Sequence, residues 1–326
     1  MTDRPAEVAL PGGDDPYSVS GSSQGNVSRL PAALEELSVL SSQDEERLER
    51  LTRVCIDDVI FAFGLGRVRR GRAVIESLSR RPARRLARQV LTYDRIVGEF
   101  GLRRGGAWAL GKLSRTARIE GQGNVPREGP LLLVSNHPGL ADAVALFAAA
   151  PRNDLRVIAA DRPFLDALPN TSRYLLTVSD ASAGRSGVVR AAARHLRGGG
   201  AVLTFPGGRI EPDPAVLPGA MEALGRWSSS ADLFARLTPG LAVVPVVVSG
   251  VISPSALRIP LTRLRRHKRD REWLAATLQT LIPALRNVDA RVQFGRPIFS
   301  EPGASVGDAV IDETRRLMDA VRAANW

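Results

Sequence analysis

From about residue 119 onward, short aliphatic runs alternate with helical segments and tight Gly or Pro turns. Five of these runs have the length and the apolar composition of strands: 131–135, 156–160, 201–205, 243–248 and 290–294. Three segments between them have helical spacing: 140–150, 186–197 and 271–285. Nearly continuous apolar strands need cover on their faces. The pattern therefore predicts an α/β domain over 119–326, with a mixed, mostly parallel sheet and flanking helices.

The N-terminal third has a different texture. Residues 1–42 are rich in Pro, Gly and Ser and lack a hydrophobic period, which predicts a disordered or loosely attached tail. Ser42 is the expected helix start, because a capping hydroxyl is followed by acidic residues in the first turn. Apolar residues then recur at helical spacing. Residues 43–118 are therefore predicted to form a basic, helical N-terminal region.

The charge balance indicates an anionic partner. The chain has 45 Lys and Arg residues against 34 Asp and Glu residues, and Lys112 and Lys268 are its only lysines. A membrane surface, a phosphorylated substrate, coenzyme A or nucleic acid would suit this excess. The arginines do not alternate with aromatic residues and no nucleic-acid-reading motif occurs, which argues against nucleic acid.

Cysteine use and hydropathy limit the other possibilities. Cys55 is the only cysteine, which excludes a disulfide within the chain, argues against a cysteine metal site and fits a reducing cytoplasm. No pattern of metal ligands occurs either. The longest apolar stretches, 143–150 and 241–248, fall short of the roughly 20 residues that span a bilayer. We therefore do not expect a transmembrane anchor, and association with a membrane surface stays open.

One histidine and one aspartate follow the end of a predicted strand, where α/β sheets bind their ligands. His137 follows the first buried strand, and Asp142 lies in the first turn of the next helix. Five positions apart on a single helix they would lie about 140° apart, so they can meet only if the histidine is in the turn. The aspartate could then hold one imidazole nitrogen while the other takes a proton from a hydroxyl. By itself, the pair also fits a turn without a function.

Several segments in order resemble the glycerophosphate/lysophosphatidate acyltransferase family. Asn136-His137 followed by Asp142 resembles its first motif, and 205–209 (Phe-Pro-Gly-Gly-Arg) resembles its Phe-Pro-Glu-Gly-Thr-Arg motif. The segment 243–250 around Pro245 resembles its last motif, and 292–298 resembles the strand that closes the domain. The resemblance covers roughly residues 119–300.

This resemblance implies acyl transfer from acyl-CoA or acyl carrier protein to a hydroxyl of a lipid or glycerolipid, with no bound cofactor. It implies that His137 is the general base and that Asp142 orients the imidazole. It also implies a set of residues that bind the substrates: Asn136, Arg185, Phe205, Pro206, Gly207, Gly208 and Arg209.

The sequence departs from the family pattern at the third motif. Gly207 stands where the family has Glu, Arg209 is displaced or replaces Thr, and Glu211 is a possible substitute acid. Arg185 is equally compatible with a solvated loop. A non-phosphorylated alcohol or an amine therefore stays open as the acceptor, as does a lipid-binding protein of the same fold without catalysis. The donor, the acyl chain length, the oligomeric state and the role of the tail also stay open.

An acyltransferase of the kind that the resemblance implies must reach a bilayer, and two basic stretches suit contact with an anionic membrane. We therefore expect a cytoplasmic protein that is peripheral to the inner face of the membrane. The two stretches lie at 80–88 and 263–271, and the alternative is that both are ordinary solvated faces. Near a charged bilayer each arginine would contribute about 1 kcal/mol of binding free energy.

Overall fold

A computed structural model describes residues 41–66, 72–139, 141–178, 182–300 and 305–323, with the side chains of 182–185 left out. The predicted tail lies almost entirely outside the described residues. The described strands form one sheet and are β1 (Thr116–Glu120), β2 (Leu131–Ser135), β3 (Leu155–Ala160), β4 (Leu175–Val178), β5 (Ala201–Thr204), β6 (Ala242–Ser249) and β7 (Asp289–Phe294).

Helices precede the sheet and lie between its strands. The N-terminal ones are α1 (Ser42–Ala62), α2 (Arg72–Phe100) and α3 (Leu102–Leu113). Those within the α/β part are α4 (Asp142–Ala149), α5 (Pro163–Asp166), α6 (Pro169–Ser172), α7 (Ser182–Arg197), α8 (Ala220–Leu224), α9 (Ser230–Leu237), α10 (Pro254–Leu257), α11 (Lys268–Leu281) and α12 (Val306–Ala323). Among the described helices, none combines the length and the apolarity that crossing a bilayer would require.

The sheet is mixed and mostly parallel, as predicted. Its strand order is β1-β7-β6-β2-β5-β3-β4, and the five strands β6, β2, β5, β3 and β4 run parallel to one another. β7 is antiparallel to β6, and β1 is parallel to β7. Every residue of β2, β5 and β6 is buried, which explains their nearly continuous Leu and Val runs. The carboxyl ends of β2 and β5 therefore lie side by side at one edge of the sheet.

Pro245 lies inside β6, where a proline removes a hydrogen-bond donor from the sheet. The β7 ladder pairs Phe294 with Val246 and then stops. Gly295 donates its amide to the Pro245 carbonyl at 2.8 Å, and pairing resumes only at the bridge between Val243 and Ile298. The segment that follows β7 bulges beside Pro245, so a central strand can contain this proline.

A buried carboxylate joins the helical N-terminal region to the α/β part through hydrogen bonds. Asp94 of α2 is fully buried and accepts from the guanidinium of Arg47 at 3.0 Å. It also accepts from both the backbone amide and the hydroxyl of Thr171, each at 2.8 Å. Because Thr171 belongs to α6, these hydrogen bonds join the hairpin of α1 and α2 to the segment between β3 and β4.

Helix α3 lies directly against α4, the helix that follows the predicted catalytic turn. A Cβ atom at Gly106 would lie 2.8 Å from the backbone nitrogen of Ala148 and 2.9 Å from the carbonyl oxygen of Val144. Only glycine permits this backbone approach. The contact thus supports α4 from the side of the N-terminal region.

Several boundaries differ from the prediction. The α1 cap is Ser41, whose hydroxyl accepts the amide of Asp44 at 3.1 Å, and not Ser42. The helix predicted at 271–285 begins earlier, at Lys268, and ends at Leu281, because Pro283 stops it and a 3₁₀ turn follows. β1 spans the predicted boundary between 118 and 119.

Candidate active site

His137 occupies the second loop position after the buried end of β2. Ser135 and Asn136 are buried, and the chain then turns through Pro138 and Gly139 before α4 begins at Asp142. The imidazole therefore lies at the carboxyl edge of the parallel strands, where α/β sheets bind ligands.

The His137 and Asp142 side chains are in direct contact. The imidazole Nδ1 lies 2.6 Å from Asp142 Oδ2, as the sequence led us to expect. The same oxygen accepts the amide of Gly139 at 3.1 Å, and Oδ1 accepts the amide of Ala143 at 2.6 Å. Asp142 is fully buried, so these donors hold its carboxylate in one position. With Nδ1 engaged by the carboxylate, the neutral imidazole carries its lone pair on Nε2.

The surroundings change the basicity of His137. Burial lowers the pKa of the imidazole, but the charge and hydrogen bond of Asp142, together with the charge of Glu211, outweigh it. The net effect raises the pKa of His137 above its usual value of 6.5. The protonated imidazole is therefore stabilised, as a general base requires after it has taken a proton.

Phe205 follows β5, the parallel neighbour of β2, and its ring lies against the imidazole. The two ring centroids are 4.7 Å apart and the rings are tilted by 33°. Two adjacent strand ends therefore bring His137 and Phe205 together although 67 other residues separate them in the sequence.

The rest of the third motif forms a turn beside this ring. Gly208 donates its amide to the Phe205 carbonyl at 3.0 Å, and its φ of 61° is one that glycine favours. Pro206 is buried, with its carbonyl bound by the amide of Ser228. Arg209 is exposed, and it has no ion-pair partner among the residues that the structure describes.

The side chain of Asn136 is bonded to the end of β6. Its side chain is 1% exposed, its Nδ2 donates to the Val248 carbonyl at 2.9 Å, and its Oδ1 accepts the Val248 amide at 2.8 Å. The amide group is thus used by two hydrogen bonds to β6. The resemblance to a motif placed Asn136 in the binding set, whereas its contacts join the ends of two strands.

Arg185 lies in the first turn of α7, but its side chain is outside the described residues. Its predicted contact with an anionic group stays a prediction.

Glu211 is a part of the site that the sequence analysis named only as a possible substitute. Its Oε2 accepts the backbone amide of His137 at 3.0 Å, and its own amide donates to the His137 carbonyl at 2.8 Å. Its Oε1 accepts the indole N–H of Trp227 at 2.7 Å. It is the first acidic residue after Phe205, and that position was the only signal for it in the sequence.

Asp213 also escaped the sequence analysis. It is fully buried and accepts the backbone amides of Gly250, Val251 and Ile252 at 2.8 to 3.1 Å. These three residues follow β6, and Ile252 lies close to Gly139, in the turn between His137 and α4. Asp213 therefore fixes the loop after β6 relative to the loop after β5.

Comparisons with known proteins agree with this geometry. Residues 116–249 match the family model described as Acyltransferase. Among solved structures, the chain is similar to the crystal structure of the 1-acyl-sn-glycerophosphate (LPA) acyltransferase, PlsC, from Thermotoga maritima. That match has 18% identity and a TM-score of 0.40, and it covers 86% of this chain and 96% of that one. No curated protein sequence matches the chain.

The matched residues include His137, Asp142 and Phe205. The part of the chain that contains these three residues is therefore similar to an acyltransferase domain.

Proposed function

We propose that this protein transfers a fatty acyl group from acyl-CoA or acyl carrier protein to a hydroxyl of a lipid or glycerolipid acceptor, with His137 as the general base. The observation that carries the proposal is the 2.6 Å contact between His137 and the buried carboxylate of Asp142. It lies at the carboxyl end of β2, within the residues that match the family.

The proposed reaction is a direct transfer. Nε2 of His137 takes the proton of the acceptor hydroxyl while its oxygen attacks the thioester carbonyl. The carbon–oxygen ester bond forms, the carbon–sulfur bond breaks, and the imidazolium returns the proton to the departing thiolate. Asp142 stabilises the imidazolium through the interval.

Cys55 is a poor alternative nucleophile for a covalent route. It lies buried in α1, and burial together with the nearby charge of Asp58 raises the pKa of its thiol to about 12. Its thiolate is therefore scarcely populated at neutral pH.

Arg209 supports an acceptor or donor that carries a negative charge. Its exposed guanidinium follows the turn beside the His137 ring, and a guanidinium can bind phosphate through two hydrogen bonds. We propose that Arg209, with Arg185, contacts such a group, and that the exposed backbone at Gly208 allows close approach.

An acyltransferase that acts on lipids must reach a bilayer. One surface of the protein has the exposed apolar and basic side chains that such contact requires. Eight large apolar side chains are exposed in the described part of the chain, and five of them belong to three neighbouring segments. Together with three exposed arginines they form what we call the apolar–basic surface: Phe61, Val74, Leu78, Leu261, Leu264, Arg263, Arg266 and Arg269.

Specific contacts hold these segments together. The Phe61 ring packs edge-on against Trp273, with the ring centroids 6.5 Å apart, although Phe61 is 67% exposed. The backbone of Gly64 lies against the guanidinium of Arg265. The three arginines of the surface have no acidic partner in the described ranges. We propose that this surface contacts anionic lipid on the inner face of the membrane.

The basic stretch at 80–88 is only partly available for this contact. Arg80 and Arg84 pair with Glu49 of α1, and Arg84 also pairs with Glu45. These ion pairs join the two helices of the hairpin. Arg81, Arg85 and Arg88 are exposed and form no ion pair with the residues that the structure describes.

The catalytic proposal is tested by measuring acyl transfer from acyl-CoA and from acyl carrier protein to lysophosphatidate, glycerol 3-phosphate and a neutral monoacylglycerol. We expect turnover with a hydroxyl acceptor, and a loss of about 10²–10⁴-fold in kcat for His137→Ala. Full activity of His137→Ala would exclude the mechanism. Affinity for acyl lipid without turnover would instead support the lipid-binding alternative, and transfer to an amine would revise the acceptor class.

The membrane proposal is tested by sedimentation with phosphatidylcholine vesicles that contain phosphatidylglycerol. We expect binding at low salt that weakens at high salt, because ions screen charge attraction. Each of Arg263→Glu and Arg266→Glu should weaken binding at least about fivefold. Leu264→Asp should weaken it as well, whereas the control Leu237→Asp, on an exposed residue of α9, should not. Equal binding of all variants would exclude this surface.

A further inference from the structure

Glu211 holds the main chain of His137 from both sides. Its carboxylate Oε2 accepts the His137 amide at 3.0 Å, and its own amide donates to the His137 carbonyl at 2.8 Å. The residue is 6% exposed, and its second oxygen is fixed by the indole of Trp227 at 2.7 Å. No rotation of the carboxylate is possible without losing one of these bonds.

The same carboxylate fills the space beside Gly207. An ideal Cβ atom at Gly207 would lie 2.7 Å from Glu211 Oε1 and 2.8 Å from its carboxyl carbon. The backbone of Gly207 does not have a positive φ, unlike that of Gly208. The backbone therefore allows a side chain at position 207, and the three described atoms nearest to its Cβ would all belong to the Glu211 carboxylate.

We propose that Glu211 is a positioning residue for His137, and that position 207 is glycine because the Glu211 carboxylate occupies its side-chain space. This inference rests on the proposed role of His137 as the base. It assigns Glu211 no contact with substrate: the residue acts by fixing the backbone from which the imidazole projects. An imidazole displaced by about 1 Å can cost about 10²-fold in rate.

Charge gives a second way to observe this contact. The charges of Asp142 and Glu211 raise the pKa of His137, and the charge of Arg226 lowers the pKa of Glu211. Glu211 contributes to the upward shift in the pKa of His137. Removing its charge should therefore lower the pKa of His137, whereas the loss of a purely structural contact would not.

The first experiment titrates His137 by NMR in the wild type, Glu211→Gln and a control, Glu313→Gln. The chain has only three histidines, so His137→Ala identifies the signal. Glu313 is a buried carboxylate on α12 that binds Arg296 and Arg316. We expect Glu211→Gln, but not Glu313→Gln, to lower the pKa of His137. An unchanged titration in Glu211→Gln would overturn the inference.

Kinetics form the second experiment. Glu211→Ala should lower kcat by about 10²-fold with little change in KM, because the imidazole moves and the substrate contacts remain. Gly207→Glu should also lose activity, because two carboxylates cannot share one buried space. The double variant Gly207→Glu/Glu211→Ala removes that clash and should be about tenfold more active than Gly207→Glu alone. A double variant no better than Gly207→Glu, or a Glu211→Ala enzyme with wild-type kcat, would overturn the inference.

The two proposals can fail separately. The NMR titration does not depend on acyl transfer, so it tests the contact of Glu211 with His137 even if the enzyme has another substrate. Full activity of His137→Ala would refute the proposed base without changing the titration. Thermal unfolding of each variant separates a displaced imidazole from an unfolded chain, and equal losses in Glu211→Gln and Glu313→Gln would assign Glu211 to folding alone.

Discussion

The Oδ2 atom of Asp142 is shared by the Nδ1 atom of His137, at 2.6 Å, and the backbone amide of Gly139, at 3.1 Å. One buried oxygen thus fixes both the imidazole and the turn that carries it. The remaining oxygen begins α4 by accepting the amide of Ala143. A change at Asp142 therefore affects the His137 imidazole and the turn that supports it together.

Asp142→Asn should lower kcat by about 10²-fold, less than His137→Ala. The amide keeps the size of the side chain, but it removes the charge that stabilises the imidazolium. Steady-state kinetics at saturating donor would measure the loss, and thermal unfolding would check the turn. A larger loss in Asp142→Asn than in His137→Ala would contradict the assignment of His137 as the base.

The pH dependence of kcat/KM should report the His137 pKa. A general base must be neutral to accept a proton, so activity should rise with pH through a pKa above 6.5. Removing the Asp142 charge should move this rise to lower pH. The stabilisation from the protonated imidazole should be fully present below pH 6.5 and should be lost as the pH rises through the folded-state pKa. A rise centred below 6.5 in the wild type would count against the geometry.

Asn136→Ala should destabilise the fold and leave substrate binding almost unchanged. It leaves the amide and carbonyl of Val248 without their partners, and each buried orphan costs about 1–3 kcal/mol. Chemical denaturation would measure the free energy of unfolding. The control is Asn124→Ala, which removes a single bond to the Phe294 carbonyl and should cost less. A large increase in KM with unchanged stability would restore Asn136 to the substrate contacts.

Glu313 should make the free energy of unfolding depend on pH in the acidic range. Its hydrogen bonds to Arg316 and to the amide and side chain of Arg296 outweigh burial and lower its pKa from 4.5 to about 2. A depressed carboxyl pKa contributes stability above the unfolded value, and this is lost as the pH falls from about 4.5 towards 2. Unfolding measured across that range should depend less steeply on pH in Glu313→Gln. An identical slope in both proteins would refute this contribution.

Burial explains which strands could be predicted. β2, β5 and β6 are covered on both faces, so their sequences are continuous runs of apolar residues. β1 and β4 are the two edge strands, and their residues are half-buried or exposed. β1 has no continuous apolar run and β4 is only four residues long, and the prediction lacks both. It also lacks α12, although Val306, Val310, Leu317 and Val321 recur at helical spacing.

The local chain order was enough to bring His137 and Asp142 together, because only five positions and one turn separate them. It also determined the class of the sheet, since apolar runs alternate with helices. The contacts from Glu211 to His137 and from Asn136 to Val248 span 74 and 112 positions. They depend on β5 and β6 lying on either side of β2, and no local pattern encodes that order. Only the tertiary structure therefore decided that Asn136 joins two strands and that the carboxylate beside Gly207 comes from Glu211.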